Sequence, residues 1–177
     1  MKNSIRLALM LVALSITQSA FADLITVPQV DLGRFAGTWY QIARNPIIFE
    51  PANCFCARQV LTPRADGKID VYNSCNRDSL TGPLAEIRGT AEVSDPKIMS
   101  KLSVNFGSPI KGDYWIIALD KEYRYAVVTD RFKYSLYILS KTPTLDEVLY
   151  QQAVTDAQVQ VKTNKLKMTP QLDCRYP

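Results

Sequence analysis

Four cysteines, Cys54, Cys56, Cys75 and Cys174, are the side chains of this sequence best suited to chemistry, and no histidine accompanies them. Without imidazole there is no Ser-His or Cys-His nucleophile pair, no His-bearing metal site and no ordinary titration near neutrality. A zinc site built from four thiolates fits poorly. Cys54-Phe55-Cys56 leaves one residue between its cysteines, where zinc sites have two to four. The sequence therefore predicts two disulfides, with no metal and no cofactor. The carboxylates give little more. Asp70, Glu86 and Asp113 stand at strand ends or in loops, and no two are placed as a general acid and base.

Disulfides form and persist in an oxidising compartment, and the N-terminus predicts one. Lys2 and Arg6 open the chain, Leu7 to Ile16 is nearly all apolar, and Ala20-Phe21-Ala22 supplies small residues for cleavage. This is a secretory signal pattern over residues 1–22, with one domain over 23–177. The apolar run is about half of what a membrane-spanning helix needs, and no cysteine follows it to carry a lipid. A soluble periplasmic or secreted product is expected. Removing Lys2 and Arg6 leaves 19 basic against 17 acidic residues. With no basic cluster, nucleic acid has little to bind.

The rest of the chain must position whatever binds. Strand signals recur over Thr38–Arg44, Phe55–Thr62, Lys68–Cys75, Ile87–Val93, Leu102–Phe106, Tyr114–Leu119, Arg124–Thr129 and Tyr134–Ser140. No helical pattern separates them, so an all-β antiparallel barrel or sandwich is predicted. Thr144 and Glu147 form a capping box that opens a helix, with Leu145, Val148 and Leu149 on one face. This helix is expected outside the sheet. The alternation of Lys165-Leu166-Lys167-Met168 allows one more short strand before Cys174.

Gly37-Thr38-Trp39-Tyr40, after the turn Asp31–Phe35, resembles the first sequence motif of the lipocalins. Ala118–Val128, centred on Asp120, resembles the second in its bacterial and apolipoprotein D-like form, and Leu139-Ser140-Lys141-Thr142-Pro143 resembles the third. The likeness implies an eight-stranded up-and-down β-barrel with one C-terminal helix packed outside. It makes Gly37, Trp39, Asp120 and Lys141 the barrel-base set. The family usually carries arginine where Lys141 stands, so a looser closed end is expected, because lysine lacks the planar fork.

An eight-stranded barrel has an interior that side chains fill or that holds one small ligand. Alternation points Leu102, Val104 and Phe106 inward, with Tyr114, Ile116 and Val128 also expected there. Tyr137 and Leu139 share the phase of Lys141, which the resemblance places inside. Ile87, Gly89 and Ala91 form a small-residue set where a cavity is expected to open. Ile47, Ile48 and Phe49 form an apolar loop at the mouth, either a lid, a rim that touches a membrane surface transiently, or packed loop residues. Cys56 and Cys75 lie at nearly equal distances from the turn at Ala65-Asp66, which predicts Cys56–Cys75. Cys54–Cys174 then follows, similar to the tail bridge of apolipoprotein D-like lipocalins, with Cys75–Cys174 as the rival. The resemblance implies a monomer or weak dimer that binds and carries a hydrophobic small molecule, such as a fatty acid or lysophospholipid. The alternative is an enzyme on the same barrel, since a few lipocalin-like proteins are isomerases or de-epoxidases. With no imidazole, affinity is expected to vary little between about pH 5.5 and 7.5.

Overall fold

The computed structural model describes residues 24–47, 50, 51 and 53–176. The expected signal segment lies outside them. The eight strands are β1 (Gly37–Arg44), β2 (Cys54–Pro63), β3 (Ile69–Arg77), β4 (Leu84–Val93), β5 (Lys101–Asn105), β6 (Gly112–Leu119), β7 (Tyr125–Thr129) and β8 (Leu136–Ser140). Each pairs antiparallel with the next, and β1 pairs with both β8 and β2, so the sheet closes on itself. The all-β barrel expected from the sequence is what forms. Closure leaves the long strands without a free edge.

Period-two alternation then builds two cores. One fills the barrel floor around Trp39, with Leu61, Val71, Leu102, Val104, Ile116, Val128 and Leu139. The other lies outside β6, β7 and β8, where Ile117, Val127 and Ile138 pack against a helix. That helix, α2 (Glu147–Gln158), buries Ala153 and Ala157 on the sheet. Small residues let it approach closely. The Tyr125 hydroxyl donates to Asp156 across the contact, at 2.7 Å.

The helix differs from expectation at its start. Its N-cap is Asp146, whose carboxylate accepts from the N–H groups of Val148 and Leu149. Thr144 instead accepts the Thr142 hydroxyl through its carbonyl, and Glu147 accepts from Gln151. An aspartate two residues closer to the helix takes the capping position. Val148 turns to solvent, 75% exposed, while Leu145 and Leu149 of the expected face pack against the helix-side core.

The tail forms the extra strand β9 (Lys167–Met168), which pairs with β1 at Ala43 and Arg44. It enters where β1 and β2 part company above Tyr40 and Arg58. The Thr169 N–H donates to the Ile42 carbonyl, and the Cys56 N–H donates to the Pro170 carbonyl. The buried Gln171 amide donates to the carbonyls of Gln41 and Ala57. The tail thus stitches the seam between the first two strands.

The disulfides are Cys54–Cys75 and Cys56–Cys174, not the expected Cys56–Cys75 and Cys54–Cys174. The cause is a β-bulge. Register slips by one between Phe55 and Arg58, and Cys56 takes φ 56°. A bulge changes which face a side chain occupies. Cys56 turns toward the tail, and Cys54 reaches Cys75.

Candidate binding site inside the barrel

The closed end is built first by local structure. Asp31 caps α1 (Leu32–Phe35) by accepting from the N–H groups of Gly33 and Arg34. This short helix sets Phe35 over Trp39, ring centroids 4.8 Å apart, and the Trp39 indole N–H donates to the Phe35 carbonyl at 2.7 Å. Lys141 lies over the other part of the indole, its Nζ 4.3 Å from the ring centroid, and donates to the carbonyls of Phe35 and Ala36. Loss of water around it brings its amine down to about 8. Lysine therefore does both jobs expected of a cation here: it caps carbonyls and covers the ring. Gly37 has φ +91°, the conformation that glycine alone adopts cheaply.

Asp120 holds the neighbouring turn. Its carboxylate accepts from the N–H groups of Glu122 and Arg124 and from the Nε and Nη2 of the Arg124 guanidinium, at 2.9 and 2.8 Å. Those bonds hold it at about 2, below the usual carboxylate range. All four expected base residues thus stand at the closed end of the barrel.

Within the floor core, Leu102, Val104, Ile116, Val128, Leu139 and Ala91 are buried around Trp39, and Tyr114 and Tyr137 pack on it partly buried. The Tyr114 hydroxyl donates to Gln59 at 2.9 Å. Those residues belong to β6 and β2, which face each other across the barrel, so this bond spans the lumen. Below it, the free volume bounded by Phe35, Gln59, Leu61, Ile69 and Val71 among others is about 10 Å³, room for about one water. Burial in this apolar setting raises the Tyr114 hydroxyl well above its ordinary value.

Two expected lining residues are open to solvent. Ile87 and Phe106 share the inward phase, but they stand at the open end, 47% and 36% exposed. No cavity opens over the small-residue set on β4. A Cβ on Gly89 would lie 2.4 Å from the Asn105 carbonyl and 2.6 Å from the Phe106 ring, so Phe106 already fills the space that glycine leaves. Of the expected mouth loop, Ile47 is partly buried; Ile48 and Phe49 lie outside the described residues.

The upper lumen is polar on one wall, which alternation did not predict. Counting from Trp39 places Gln41 and Ala43 inside and Arg44 outside. A bulge between Gln41 and Ala43 reverses this, pairing Gln41 with Leu139 and Arg44 with Tyr137. Arg44 consequently faces in and is buried. Its Nε pairs with Glu50 at 2.8 Å, and Glu50 also accepts from the Gln41 amide at 3.0 Å and from the Tyr137 hydroxyl. Burial raises the Glu50 carboxyl above its ordinary value despite these partners. On β3, the Asn73 side-chain oxygen is buried with no hydrogen-bond donor among the described residues.

The geometry is matched by comparison with known proteins. The model of the lipocalin-like domain matches residues 30–171. Temperature-induced lipocalin-1 of Arabidopsis thaliana is 33% identical over 160 residues, covering 85% of this chain and 84% of its own length. The outer membrane lipoprotein Blc of Escherichia coli is 35% identical over 132 residues, covering 74% and 73%. Insecticyanin from the tobacco hornworm Manduca sexta superposes with a TM-score of 0.70 at 22% identity, covering 87% and 88%. Closed barrel, indole floor and family match agree: this chain belongs to the lipocalin family.

Proposed function

We propose that this lipocalin binds and carries a hydrophobic small molecule outside the cytoplasm, held in the upper lumen of the barrel. The observation that carries the reading is the unpaired apolar surface at the open end. Ile87 and Phe106 continue the inward faces of β4 and β5, and among the described residues they stay 47% and 36% exposed. The same phase is buried one turn of the pleat lower, at Ala91 and Val104. Apolar surface left open beside a lumen suits a lipophilic ligand. The Tyr114–Gln59 bridge then sets the depth of the site.

Two features support export. The first 22 residues read as a cleaved signal, and the two disulfides suit an oxidising compartment. Carriage is favoured over catalysis because Glu50, in the upper lumen, is ion-paired with Arg44 rather than set beside a second carboxylate as a general acid and base would be. Each methylene moved from water contributes about 0.8 kcal/mol, so chain length supplies most of the affinity.

The test is extraction of the protein purified from its native compartment, followed by mass spectrometry. About one lipophile per chain, recovered unchanged after incubation with excess, supports carriage. An empty protein that fails to take up any lipid would overturn it, and a chemically altered product would make it an enzyme.

A further inference from the structure

Glu50 is not a strand residue, but the groups that hold it are. Arg44 and Gln41 come from β1 and Tyr137 from β8, two strands paired in register and closed into the barrel. Glu50 sits on the loop between β1 and β2. Three rigid donors thus converge on one carboxylate delivered by a loop: the Arg44 Nε at 2.8 Å, the Gln41 amide at 3.0 Å and the Tyr137 hydroxyl. Arg44 also donates to the Pro51 carbonyl on the same loop, and Gln41 is held apart from that loop by donating to the Thr169 hydroxyl at 2.8 Å. The pair is well desolvated, with side-chain exposures of 7% for Arg44 and 17% for Glu50.

We propose that Arg44, Gln41 and Tyr137 form a carboxylate subsite in the upper lumen, which Glu50 fills in the ligand-free chain and which the head group of a single-chain fatty acid takes over. The inference rests on the carrier reading and names its ligand class. A site that already accepts one carboxylate with charge-assisted bonds has the donors for another. Glu50 acts there as a tethered competitor, at an effective concentration set by its short loop. A fatty acid adds burial of its alkyl chain to the same charge-assisted bonds, which makes it the stronger occupant. Asp130, the other carboxylate whose charge reaches Tyr137, is turned into its own loop, accepting from the N–H groups of Phe132 and Ser135 and from the Ser135 hydroxyl. It does not compete for Arg44. With the head at Arg44, the alkyl chain has the apolar faces of β4 and β5 toward Ile87 and Phe106.

Calorimetric titration with dodecanoate and with dodecanol, at neutral pH, tests this on the whole mature protein. The expected result is tighter binding of the acid by about tenfold or more. Glu50→Gln removes the competitor and should widen that preference about tenfold, with dodecanol unchanged. Arg44→Gln should reduce it to within about twofold. Equal affinities for acid and alcohol in both the natural protein and Glu50→Gln would overturn the subsite while leaving the carrier reading standing. A preference that survives Arg44→Gln in full would also overturn it. No binding of either compound would remove the carrier reading and the subsite together. If Arg44→Gln fails to fold, the comparison of Glu50→Gln with the natural protein decides alone.

Discussion

Single side chains at the closed end carry separable effects. Gly37→Ala forces a side chain into φ +91°, and thermal or urea unfolding should show a loss of about 1–2 kcal/mol. Lys141→Arg should do the reverse. A guanidinium keeps the cover over Trp39 and adds a planar fork for the carbonyls of Phe35 and Ala36, so a gain of about 1 kcal/mol is expected in the same assay. The looser floor expected from lysine is therefore a matter of degree, since the lysine already makes both contacts. Asp120 links stability to acid. Its folded value of about 2 lies below the ordinary 3.8, so its contribution is fully present above pH 3.8 and is lost as pH falls through about 2. By linkage that contribution is about 2 kcal/mol. Asp120→Asn should remove it at neutral pH and flatten the acid limb of the stability curve; an unchanged limb would assign acid sensitivity elsewhere.

Strands and their breaks decide how much of this was legible beforehand. All eight strands lie where alternation and turn residues put them, because a half-buried strand repeats every two residues. The floor residues Leu102, Val104 and Leu139 followed directly from that period. What failed, failed at bulges and caps. The bulge at Cys56 exchanged the cysteine partners, and the bulge between Gln41 and Ala43 brought Arg44 and Glu50 together inside the barrel. A third, between Ile116 and Ala118, sends both Ile117 and Ala118 to the helix side. A single inserted residue reverses every later face, and no residue type marks it beforehand. The inward faces of β2 and β3, Leu61, Ile69 and Val71, were missed although their alternation was there to read. Disulfide exchange also yields a prediction. Cys174→Ser releases a tail that closes a 118-residue separation, so a loss of roughly 3–5 kcal/mol is expected. Hydrogen exchange should quicken at Thr169 and along the β1–β2 seam, where that tail is hydrogen-bonded, and stay unchanged at the Trp39 floor.

For the whole molecule, the barrel divides into a packed floor and an upper lumen, with the Tyr114–Gln59 bridge between them. Methyl-resolved nuclear magnetic resonance during titration with dodecanoate reads that division directly, because isoleucine, leucine and valine methyls mark the lumen and both cores. The account predicts shifts at Ile87 that saturate near one ligand per chain, with the Ile117, Val127 and Ile138 methyls beneath the helix unmoved. Shifts confined to that helix-side core, or to none of these methyls while ligand is bound, would contradict it.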